Sequence, residues 1–108
     1  MPITGKGDYS RAISDFDQAI QLKSDYALAH SSRGNAYAAL GDYKRALADY
    51  DTAIHLDPGF PGAYFNRGFA LSVVGRHTEA AADLSRCVKL SSDPDLRSRA
   101  EEILQRLG

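Results

Sequence analysis

The feature that most constrains this chain is that it matches itself when shifted by about 34 residues, a period typical of helix-turn-helix repeats. Gly7, Gly41 and Gly75 fall in register, as do Ala12, Ala46 and Ala80. Ala19, Ala53 and Cys87 follow, then Ile20, Ile54 and Val88, then Leu22, Leu56 and Leu90. Upstream, Arg33-Gly34 matches Arg67-Gly68. A single helix pair cannot bury its apolar face alone, so a sequence that repeats one is built to stack copies into a continuous core.

Each unit divides into two helices. Tyr43, Ala46, Leu47, Tyr50, Ala53 and Ile54 fall at the i, i+3, i+4, i+7 spacing of an amphipathic stripe. Tyr9, Ala12, Ile13, Phe16, Ala19 and Ile20 do the same one unit earlier. Residues 27–40 form a partner helix ended by Gly41, and residues 62–74 form its counterpart ended by Gly75. Pro58 closes one helix and Pro61 opens the next, because proline suits a first helical turn and not an interior. Gly34 and Gly68 stand inside helices, where glycine costs about 1 kcal/mol relative to alanine. That placement implies a close helix approach, with Ala46, Ala53 and Ala80 as the small facing residues.

Glycine at the close crossing, Gly-Asp-Tyr at the turn, then Ala, Tyr, Ala and a closing Pro resemble the tetratricopeptide repeat from about Gly7 to Ser92. The resemblance implies an all-α fold: a right-handed α-solenoid of stacked antiparallel helix pairs. Departures are few. His30 stands where the family usually has a large aromatic, which Tyr64 keeps. Ser24 and Ser92 replace the closing proline, and Cys87 replaces a small alanine. His30 and His77 occupy positions that are core in the family.

The expected organisation is one domain over 1–108. It comprises a flexible start (1–8), the second helix of an incomplete first repeat (9–26), two full repeats (27–60 and 61–92) and a capping helix (93–108). In that last helix Asp93 caps the N-terminus before Pro94, and Leu96, Ala100, Ile103, Leu104 and Leu107 form one apolar stripe. Capping helices shield the last core face of a solenoid. The first repeat lacks its own first helix, so the stripe of Tyr9, Ile13, Phe16 and Ile20 is expected to be exposed and to self-associate, or to join a longer array.

Composition and motifs exclude several functions. A net charge of −1 provides no basic field for nucleic acid or an anionic membrane. No stretch approaches the roughly 18 apolar residues of a membrane span, and the N-terminus has no signal-peptide pattern. One cysteine, Cys87, allows no internal disulfide, which fits a reducing, cytoplasmic setting. No catalytic constellation, cofactor motif or metal set appears: His30, His55 and His77 lie on separate helices, and Gly5-Lys6-Gly7 lacks the spacing of a phosphate loop. Asp15/Asp17 and Asp49/Asp51 are two apart, so the members of each pair do not face each other on a helix. Arg33 is expected to reach Asp15 or Asp49, and Arg67 to reach Asp49 or Asp83, tying neighbouring helices together.

In the family, the first helices of successive repeats line a concave surface that holds a partner's peptide or helix. Carried onto this chain, that surface is Leu28, Ser31, Ser32, Asn35 and Ala38, then Phe65, Asn66, Phe69 and Val73, with Arg99 from the capping helix. The family's clamp for chaperone tails ending in EEVD uses two asparagines, matched by Asn35 and Asn66. Its cationic places fall on Ser31, Leu96 and Ala100, so the charge-assisted recognition of two carboxylates is missing. The expectation is a non-enzymatic protein-interaction module with a protein or peptide partner. The alternative is a homo-oligomer formed through helix 9–22.

Overall fold

The computed structural model describes residues 6–107, which fold into six helices with no strand. They are α1 (Lys6–Leu22), α2 (Ala27–Ala39), α3 (Tyr43–Leu56), α4 (Pro61–Val73), α5 (His77–Leu90) and α6 (Pro94–Leu107). α2 packs most extensively on α3 and α4 on α5, while α1, α3 and α5 each also meet the helix that follows. α4 touches both α2 and α6, so these three helices share one side of the stack. The result is a helical solenoid.

The turns explain why the pairs are antiparallel. Gly41 and Gly75 adopt φ of 83° and 87°, left-handed backbone that an L side chain resists. Asp42 N–H donates to the Tyr37 carbonyl and Gly41 N–H to Ala38, both at 2.9 Å, a Schellman cap. Arg76 and Gly75 repeat the arrangement on Leu71 and Ser72. The following helices start differently. The Asp42 carboxylate accepts from Arg45 N–H at 3.2 Å, whereas Arg76 offers no side-chain cap and holds Glu79 at 2.7 Å instead.

The close crossings lie at the helix glycines. A Cβ on Gly34 would stand 2.7 Å from Tyr50 Cε1 and 3.1 Å from the Ala46 carbonyl. A Cβ on Gly68 would stand 2.8 Å from Leu84 Cγ and 3.2 Å from the Ala80 carbonyl. Ala46, Ala53 and Ala80 are wholly buried on the facing helices. One core layer gathers Tyr50 and Ala70 between the first two full pairs. The other gathers Tyr64, Phe65, Leu84 and Cys87 under α6, which contributes Leu96, Ala100, Ile103, Leu104 and Leu107.

Two expectations need correction. α1 begins at Lys6, so Lys6, Gly7 and Asp8 are helical and do not form a turn before residue 9. The remainder of the expected flexible start, 1–5, lies outside the described residues. His77 is exposed because it opens α5 at the rim of the stack, whereas His30 is buried. His30 Nε2 lies 3.0 Å from the Ser24 carbonyl, and one period later the Tyr64 hydroxyl donates to Pro58 at the same distance.

Candidate functional site

A polar layer fixes how the helices that carry the site sit against one another. On α2, Arg33 donates Nε and Nη2 to both oxygens of Asp49 on α3, at 2.9 and 2.7 Å. Its Nη1 reaches Asp17 on α1 at 2.8 Å. Arg67 on α4 repeats this, bidentate to Asp83 on α5 at 2.7 and 2.8 Å and bound to Asp51 on α3 at 3.0 Å. Hydrogen bonds donated to Asp49 and to Asp83 hold the two guanidinium groups above the ordinary arginine pKa, against the desolvation of burial. The expected pairs Arg33–Asp49 and Arg67–Asp83 are therefore present, but Asp15 and Asp49 are not the second partners. Asp17 and Asp51 take that place, since each lies on the face its helix turns to the following one.

α2, α4 and α6 border a cleft of about 480 Å³ lined by Asn35, Ala38, Ala39, Tyr43, Tyr50, Phe65, Asn66, Phe69 and Arg99. The Tyr50 hydroxyl donates to Asn35 Oδ1 at 2.6 Å, and Asn66 Nδ2 donates to Ser31 Oγ at 3.1 Å. Phe65 and Phe69 stack with ring centroids 6.5 Å apart, and the Arg99 guanidinium lies 5.2 Å from the Phe65 ring centre. Phe69 is 48% exposed, while Phe65 is 8% exposed and belongs to the core. Tyr50 is pushed above its ordinary pKa of 10.0, first by burial and then by the Asp49 charge.

Of the residues expected on the concave surface, the cleft brings together Asn35, Ala38, Phe65, Asn66, Phe69 and Arg99. Ser31 is buried beneath it as the partner of Asn66, and Ser32, Leu28 and Val73 lie outside its lining. Tyr43 and Tyr50 line it from α3, where the sequence marks them only as part of an apolar stripe. Tyr43 is half-buried there and Tyr50 is buried at its floor. Tyr9, Ile13, Phe16 and Ile20 on α1 are each partly exposed. Among the described residues no group of three His, Cys, Asp or Glu could hold a metal ion, and no helix is long and apolar enough to cross a membrane.

Stacked helix pairs with a cleft along one side define a repeat-built interaction scaffold. The sequence matches the family described as "TPR repeat" over residues 5–41 and 34–72, and "Tetratricopeptide repeat" over 61–94. The chain belongs to the tetratricopeptide-repeat family. No curated protein matches it. Among solved structures it is similar to the second TPR of Spaghetti (RPAP3) bound to the HSP90 peptide SRMEEVD, at 32% identity. That match covers 79% of each chain with a TM-score of 0.75. The TPR domain of Arabidopsis OM64 is 27% identical over 93% of this chain and 83% of its own, with a TM-score of 0.83. The Yersinia enterocolitica type III secretion chaperone SycD, solved with a peptide of the translocator YopD, shares the fold at 22% identity. Its TM-score is 0.87 over 94% of this chain and 80% of that one.

Proposed function

We propose that the chain is a non-enzymatic module that binds an extended segment of a partner protein in the α2/α4/α6 cleft. The observation that carries this is the way the two cleft asparagines are already engaged. Tyr50 occupies Asn35 Oδ1, which leaves the Asn35 amide NH₂ to donate. Ser31 Oγ accepts from Asn66 Nδ2, which leaves Asn66 Oδ1 as a free acceptor. One donor and one acceptor held on neighbouring helices suit the alternating C=O and N–H groups of an extended backbone.

The rest of the lining sets side-chain preference. Exposed Phe69 offers apolar contact, and Arg99 is the one cation among the described residues of the lining. A segment with one acidic group and one apolar side chain fits best. A peptide-bound relative, the second TPR of Spaghetti (RPAP3), supports the reading. The EEVD clamp itself is not built here, because Ser31 and Ala100 are buried and neither they nor Leu96 can bring a charge.

Selection from a displayed library of random peptides tests this. The reading predicts enriched sequences that bind the wild type and lose at least about tenfold in affinity with Phe69→Asp, at unchanged helicity. Peptides bound equally by both proteins overturn it. Phe65→Asp is unsuitable, since it places a charge in the core. Self-association through α1 is a second reading, favoured by its partly exposed stripe. It requires a concentration-dependent mass that Phe16→Asp abolishes.

A further inference from the structure

The 34-residue register shows what α1 lacks. Ala12, Asp15, Phe16 and Ala19 stand where α3 has Ala46, Asp49, Tyr50 and Ala53, and where α5 has Ala80, Asp83, Leu84 and Cys87. All eight counterparts are buried, each set beneath the helix that precedes it, α2 or α4. In α1 the same four positions lie open: Asp15 is exposed and the other three are partly so. Asp17 faces the other way, onto Arg33 of α2. Among the described residues Asp15 holds no ion pair, whereas Asp49 and Asp83 each take a guanidinium in bidentate fashion.

We infer that this face of α1 docks an α-helix of a partner polypeptide bearing an Arg-Gly dipeptide. Both residues follow from the two occupied copies. At each, Arg33 or Arg67 clasps the carboxylate, and the next residue, Gly34 or Gly68, lets the backbone reach the large side chain and the small alanine of the facing helix. On α1 the arginine meets Asp15, and the glycine crosses Phe16 and Ala12. A Cβ at the crossing would hold the helix off. An arginine against an exposed carboxylate supplies charge complementarity and a fixed register.

The face rejects head-to-tail stacking of a second copy. One period after Arg67-Gly68, α6 carries Glu101-Glu102, which sets a carboxylate against Asp15 and a long side chain at the crossing. α2 and α4 of a second copy are spent within their own pairs.

A fluorescein-labelled peptide with the sequence of residues 24–40, SDYALAHSSRGNAYAAL, is the probe, titrated with the full chain and followed by anisotropy and amide chemical shifts. The inference predicts saturable binding with shifts centred on α1. Asp15→Asn in the protein, or Arg→Ala in the peptide, should each weaken it about tenfold. Gly→Leu in the peptide should abolish it. Asp15 is exposed, so its substitution leaves the fold intact. No saturable binding, shifts centred on Phe69 and Arg99, or affinity indifferent to Asp15 overturns the inference. So does a chain that doubles its mass with concentration through this same face.

Discussion

Gly68 carries a cost in helix propensity and returns it in packing. Alanine in its place would gain about 1 kcal/mol of propensity. Its Cβ, however, would lie 2.8 Å from Leu84 Cγ, and Leu84 is wholly buried and cannot swing aside. Gly68→Ala should therefore destabilise the chain by about 1–3 kcal/mol in urea unfolding, the cost of overpacking. A stabilised variant would contradict the close crossing. Tyr50 provides a second test. Because burial raises its pKa in the folded chain, the unfolded chain ionises first as pH climbs past the ordinary value of 10.0. Stability at Tyr50 is then complete below that pH and declines above it. Tyr50→Phe should cost about 1 kcal/mol at neutral pH for the lost bond to Asn35, and should flatten the alkaline decline seen in the wild type. Equal slopes in both proteins would show that Tyr50 ionises freely in the fold.

Helices and their turns were legible from the sequence because a period of identical spacing carries its own alignment. Gly34, Gly68, Gly41, Gly75 and the buried alanines mark crossings and caps without reference to any partner. Side-chain pairing across helices was legible only in part. Arg33 and Arg67 identify a recurring cation, and Asp49 and Asp83 a recurring anion. Which second carboxylate each arginine reaches depends on the angle between helices, and spacing along one helix does not encode it. The same limit hid Tyr43 and Tyr50 from the cleft and placed His77 in a core that ends one turn short of it. The arginine clasp has an asymmetric prediction. Asp83 is almost buried and Arg67 three-quarters so, whereas Asp51 is 64% exposed. Arg67→Ala strands a buried carboxylate and should cost about 3 kcal/mol, near the lower end for a buried pair. Asp51→Ala should cost at most about 1 kcal/mol. Thermal unfolding of the two variants decides it, and equal losses would mean that the buried half of the clasp is not the stronger one.

At the scale of the whole molecule, stacking helix pairs brings α2, α4 and α6 to one side, where they line up as the core closes. That leaves a cleft whose walls belong to the scaffold and whose lining carries a few polar groups. The residues lining it were only partly visible beforehand: Asn35, Asn66 and Phe69 stand at predictable helix faces, but their engagement by Tyr50, Ser31 and Phe65 is a matter of three-dimensional contact. The cleft as a partner site is the central claim. Its most direct measurement is capture of proteins from a source-cell lysate on the immobilised chain, beside a bait carrying Phe69→Asp and Arg99→Glu, two exposed positions whose change leaves the core untouched. The account predicts a protein held by the wild type and lost by the folded double variant. A partner retained equally by both baits would contradict it.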